Sequence, residues 1–160
     1  MTDVLDGVRD HYRATGLTER LKSALAVLGP EGQRLTPAQL SALDHFHTRG
    51  LAATGELAKL AGIAADISVL DVGSGVGGPA RFLAATYGCR VTGIDLSEPF
   101  VEAARYLTER TGQSAQIWFQ TASALSAVLP TAFHPPVQVF CEGISPTCAT
   151  IGTALSQSAF

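Results

Sequence analysis

The sequence predicts an α/β fold in which a doubly wound, mostly parallel sheet lies behind N-terminal helices. Three observations carry that prediction. Residues 69–78 read Val-Leu-Asp-Val-Gly-Ser-Gly-Val-Gly-Gly, an apolar run that breaks into glycines, and Pro79 follows as the opening of a helix. A second strand-like run, Arg90-Val91-Thr92-Gly93-Ile94, ends in Asp95, 24 residues after Asp71. Strand and helix patterns alternate between and beyond these two runs, the rhythm of βαβ units.

The elements follow in order. Apolar positions Val4, Val8 and Tyr12, then Leu17, Leu21, Leu25 and Leu28, recur at three and four and predict two amphipathic helices parted near Gly16. Gly29-Pro30-Glu31-Gly32 is a loop, and Thr36-Pro37 is an N-cap followed by proline at the first helical position. That helix is expected to reach about Phe46, and another spans Leu51–Leu60. Strands are expected at Ile67–Val72, Cys89–Ile94, Gln116–Gln120 and Val137–Cys141. Helices at Pro79–Tyr87 and from Ser97 to Arg110 separate the first three, closed by Gly88 and Gly112. The expected organisation is a helical lead-in at 1–62, a sheet core at 63–126 and an atypical tail at 127–160.

Bulk properties narrow the function. A chain of 160 residues fits one domain with a real core. Its net charge of −3 gives no nucleic-acid footprint and no basic membrane patch. The start lacks the blocks of a signal peptide, and there is no apolar run long enough for a span. Cys89, Cys141 and Cys148 have no C-x-x-C spacing and read as reduced thiols of a cytoplasmic protein. Asp44, His45 and His47 are not read as a metal site, because a spacing of two puts the histidines on different helix faces.

The glycine loop carries the chemistry. Gly73, Gly75, Gly77 and Gly78 remove side chains where a strand turns into a helix, so a ligand is expected to lie against backbone N–H groups. Asp71 stands at the mouth of the first strand, and Ser74 lies inside the loop. Asp95 is placed to accept hydrogen bonds from ribose hydroxyls. The spacing Gly73-x-Gly75-x-x-Gly78 also satisfies the dinucleotide fingerprint, so a NAD(P)-dependent oxidoreductase stays open on the residues alone.

The form Asp71-x-Gly73-x-Gly75-x-Gly77-Gly78 resembles motif I of the class I S-adenosylmethionine-dependent methyltransferases. The resemblance implies a Rossmann-like fold and S-adenosylmethionine as cofactor, held by Asp71, Gly73, Ser74, Gly75, Gly77 and Gly78. It further implies that Asp95 grips the ribose and Leu96 lines the adenine pocket. Ser123-Ala124 stands where the family has Asp-Ala against the adenine. Leu43-Asp44-His45-Phe46-His47-Thr48-Arg49-Gly50-Leu51 is similar to the lead-in of small-molecule methyltransferases of the ubiquinone-biosynthesis and glycine/sarcosine N-methyltransferase type. Val8-Arg9-Asp10-His11-Tyr12 resembles their lid helix. The implied reaction is in-line methyl transfer to a small-molecule acceptor, which asks the protein for positioning and water exclusion and for no dedicated nucleophile or metal. No catalytic residue is assigned.

The pattern breaks after Leu125. Residues 111–160 carry a single charged side chain, Glu142, together with Pro130, Pro135, Pro136 and Pro146. A soluble domain has about a quarter of its residues charged. The acid-containing opening of the family's fourth strand is absent, and the tail reads as a truncated or frameshifted continuation. From this follow two expectations: an exposed edge on the first strand, with self-association through it, and a third reading of the chain as a catalytically silent cofactor-binding fragment.

Overall fold

The computed structural model describes residues 16–36, 39–40, 50–123 and 137–140. Helix α1 spans Leu17–Leu25 and runs into a 3-10 turn at Ala26–Leu28. Helix α2 is Gly50–Leu60. The core then alternates: β1 Ser68–Val72, α3 Gly78–Tyr87, β2 Arg90–Asp95, α4 Glu98–Thr111, β3 Ile117–Thr121 and β4 Val137–Phe140. The four strands form one sheet in the order β3-β2-β1-β4. Every pairing is parallel, with Asp71 beside Gly93 and Phe140, and Ile94 beside Gln120.

All five residues of β1 are buried. A strand covered on both faces reads as a continuous apolar run rather than an alternation, which is why residues 68–72 stood out in the sequence. The expected edge on β1 is not present: β4 pairs with it from Ser68 to Asp71, so β1 is inside the sheet and, among the described residues, β3 and β4 are the outer strands. Four short hydrogen-bonded residues suffice, because parallel pairing needs backbone and not the missing acid. The strand comes from within the segment assigned to the tail.

Two apolar clusters flank the sheet. Under it lie Val69, Ala80, Leu83, Ala84, Cys89, Val91, Val101, Ala104, Ile117 and Phe119. The second joins Leu21, Leu25, Leu35 and Leu40 to Ala103 and Leu107 on the other side of α4. Polar ties close it. Arg110 Nε donates to the Gln33 carbonyl at 3.1 Å, its Nη1 donates to Tyr106 Oη at 2.8 Å, and Leu35 N–H donates to the Arg110 carbonyl at 2.7 Å. Thr36 and Gln39 form a reciprocal capping box. Thr36 N–H donates to Gln39 Oε1 at 2.9 Å and Gln39 N–H to Thr36 Oγ1 at 3.3 Å. Cys89 sits in the core under the sheet, and burial pushes its thiol pKa up. Among the described residues no helix is long and apolar enough to cross a membrane.

Candidate active site

The glycine loop occupies residues 73–77, between the C-terminal end of β1 and the start of α3. It therefore lies at the carboxyl edge of a parallel sheet, where open α/β folds place their ligands. Gly77 takes the N-cap position of α3 at φ 80°, and Pro79 lies in the first turn, where its missing N–H leaves no helical bond unmade.

The loop is held from three sides. Gly73 N–H and Ser74 N–H both donate to the Ile94 carbonyl, at 2.8 and 3.0 Å. Gly75 N–H donates to Asp95 Oδ2 at 2.9 Å. Gly77 N–H donates to the Ser74 carbonyl at 2.8 Å. The N–H groups expected to await a ligand are thus engaged inside the protein at these four positions. The sequence could not reveal this, because the acceptors are a backbone carbonyl and a carboxylate brought in by β2.

Two of the glycines serve different ends. A Cβ at Gly77 would stand 2.5 Å from Phe119 Cζ and 3.0 Å from Arg81 Nη1, so the fold itself demands glycine there. Gly75 also has positive φ, at 51°, yet nothing lies within 4 Å of where its Cβ would be. The strain-free left-handed turn at Gly75 therefore opens onto free space. The open side of Gly75 is the candidate cradle, and Gly77 is packed against Phe119 and Arg81 beside it.

Asp95 joins the loop to β2 and α4. Its Oδ1 accepts from Ser97 N–H at 2.8 Å while Oδ2 holds Gly75. Its own carbonyl accepts from Ala122 N–H at 2.9 Å, which brings the end of β3, and Ser123 after it, to the same edge of the sheet. Asp71, 2% exposed, lies buried at the end of β1 beside Gly93. Leu96 is half-buried after Asp95, and Gly78 is buried in the first turn of α3. Ser74 is 4% exposed, and its Oγ has no hydrogen-bond partner among the described residues. The structure therefore gathers Asp71, Gly73, Ser74, Gly75, Gly77, Gly78, Asp95, Leu96 and Ser123 along one rim. Ala124, Tyr12, His11, His45, His47, His134 and Glu142 lie outside the described residues.

Sequence reading missed the floor of the loop. Arg81 is fully buried, and its Nη1 donates to the Val76 carbonyl at 2.8 Å and to Thr108 Oγ1 at 3.3 Å. Phe119 fills the space beneath Gly77. One signal was available: Arg81 is the only charge in the helix Gly78-Pro79-Ala80-Arg81-Phe82-Leu83-Ala84-Ala85-Thr86-Tyr87. A cation amid apolar residues directly after a glycine loop is out of place unless it is bonded.

A family profile described as "Methyltransferase domain" matches residues 69–141, a segment that starts in β1 and ends just past β4. The likeness is to a methyltransferase domain, and it covers that segment. Its similarity extends to a sterol 24-C-methyltransferase of Eremothecium gossypii, 36% identical over 76 residues, or 48% of this chain and 20% of that one. It is also similar to a glycine/sarcosine/dimethylglycine N-methyltransferase of Actinopolyspora halophila, 46% identical over 50 residues, covering 31% and 9%. The chain thus spans about a fifth or less of the length of these curated relatives. In fold, the chain is like a solved S-adenosylmethionine-dependent methyltransferase from Thiobacillus denitrificans, with a TM-score of 0.52 at 23% identity over 91% of this chain and 50% of that one.

Proposed function

We propose that this methyltransferase domain binds S-adenosylmethionine in the cradle at Gly75 and transfers its methyl group to a small molecule. The observation that carries the reading is the bond from Gly75 N–H to the Asp95 carboxylate. A pyrophosphate needs free N–H donors at the loop. Here Gly73, Ser74 and Gly75 already spend theirs on Ile94 and Asp95, and a phosphate would meet a carboxylate across the cradle. A nucleoside bearing a sulfonium carries no phosphate to be placed there. Its positive charge is attracted by acids rather than repelled. This favours S-adenosylmethionine over the nicotinamide dinucleotides.

The residues present fit that cofactor. Open space beyond Gly75 gives it room, and each carboxylate oxygen of Asp95 keeps a second lone pair for a ribose hydroxyl. Leu96 and Ser123 flank the position assigned to the adenine, with Ala124 next in sequence. The bound cofactor supplies an electrophilic methyl group to an incoming acceptor. The chain's own part is to fix the nucleoside, keep the loop from shifting and exclude water, and positioning of this kind supplies roughly 7–11 kcal/mol of rate enhancement. The relatives named for sterols and for glycine and sarcosine favour a small-molecule acceptor over nucleic acid. We assign the protein to the cytoplasm on its three cysteines without C-x-x-C spacing and assign self-association to an outer strand, β3 or β4.

Methyl transfer from labelled S-adenosylmethionine to pools of small metabolites, run beside a full-length relative, tests the reading. Labelled product in both reactions is expected. Product from the relative alone, with cofactor retained by this chain, would make the chain a silent binding fragment.

A further inference from the structure

We infer that Arg81 is a positioning residue for the cofactor cradle, acting from beneath the loop on the Val76–Gly77 peptide; the inference rests on the function proposed above. Among the described residues Arg81 is the largest fully buried side chain, with 2% exposure. It grips the loop through its side chain and its backbone. Nη1 donates to the Val76 carbonyl at 2.8 Å, and the Arg81 N–H donates to the Gly77 carbonyl at 3.0 Å. The other face of the Val76–Gly77 peptide, the Gly77 N–H, is bonded to the Ser74 carbonyl at 2.8 Å. One peptide plane is therefore clamped on both sides, one residue after the glycine that opens the cradle.

The guanidinium is itself anchored. Nη1 reaches Thr108 Oγ1 at 3.3 Å, and the Arg81 carbonyl accepts from Gln113 Nε2 at 2.9 Å. Thr108 belongs to α4 and Gln113 follows it. The same helix begins three residues after Asp95, whose carboxylate holds Gly75 from the other side. Thr108 on α4 and Asp95 at the end of β2, just before that helix, thus hold the loop from two sides. A buried cation is costly to retain, and an apolar side chain of equal length would fill the same space without that cost. The guanidinium donates to a carbonyl of the loop, which a mere packing role does not require.

The test compares Arg81→Met, Arg81→Lys and Thr108→Val with the wild type. Affinity for S-adenosylhomocysteine is read by calorimetry, and amide hydrogen exchange is read in the ligand-free proteins. Arg81→Met is expected to weaken binding about tenfold or more, the loss of one charged hydrogen bond. Exchange should quicken at Gly75 and Gly77 while Val69 and Val91 in the sheet keep their protection. Arg81→Lys, which retains a donor and the charge, should recover part of both. Should Arg81→Met fail to fold, Thr108→Val carries the test, with a smaller loss of affinity and the same loop-confined exchange. Wild-type affinity and exchange in a folded Arg81→Met or in Thr108→Val would overturn the inference. Exchange that rises equally in loop and sheet would do the same. If the wild type itself binds no S-adenosylhomocysteine, the proposed function fails, while the exchange pattern still judges the role of Arg81.

Discussion

The core under the sheet and the core between α1 and α4 meet the glycine loop at different points and are closed by different forces. Phe119, from the first, lies against Gly77 and supports the turn directly. Val76 alone reaches the second, packing against the cluster of Leu21, Leu25, Leu35, Leu40, Ala103 and Leu107. The first is sealed by apolar side chains of strands and helices contiguous in the chain. The second depends on long-range polar ties, chiefly Arg110 to the carbonyls of Gln33 and Pro30. Helix α4 serves both, turning Val101 and Ala104 to one and Ala103 and Leu107 to the other. The lesson is that cradle shape is set from the sheet side, while the helical layer mainly contributes stability.

Substitutions that hit one core at a time sharpen that division. Phe119→Ala should have the largest effect, costing about 3–5 kcal/mol of stability by removing a buried aromatic. It should also abolish cofactor binding, because the floor of Gly77 goes with it; chemical denaturation and calorimetry read the two losses. Leu107→Ala should cost about 2–5 kcal/mol through its cavity. Cofactor affinity at saturating folded protein should be largely retained, and equal losses of affinity in the two variants would break the distinction. Asp95→Ala works in the opposite sense. It should weaken S-adenosylhomocysteine binding by about 1.5–3 kcal/mol, the worth of a charged hydrogen bond, with a smaller change in denaturation midpoint. Thr36→Ala removes the capping box at the edge of the helical layer and should lower stability by about 1 kcal/mol with binding intact.

The sequence made the sheet region readable to within a residue at most strand ends. The buried run of β1, the glycines and the capping signals at Gly88 and Gly112 are local, and each has one physical solution. The N-cap at Thr36 was legible for the same reason and is met by Gln39, while the rest of the helix expected to Phe46 lies outside the described residues. The pairing of β4 with β1 was not. The strand itself was expected at Val137–Cys141, but its neighbour is set by a backbone ladder that appears only in three dimensions. Asp95 was placed correctly at the end of β2, but its bond to Gly75 spans 20 residues and has no local trace. Arg81 left a trace, a charge in an apolar helix, whose meaning depended on finding Thr108 and Val76 around it.

A loop whose Gly73, Ser74 and Gly75 donors are already engaged, one of them by the Asp95 carboxylate, is expected to accept a sulfonium nucleoside and refuse a pyrophosphate. Calorimetric titration of the wild-type chain with S-adenosylmethionine and, separately, with NAD tests it most directly. The account predicts saturable one-to-one heat with S-adenosylmethionine and none with NAD at the same concentrations. Saturable binding of NAD, with S-adenosylmethionine silent, would contradict it.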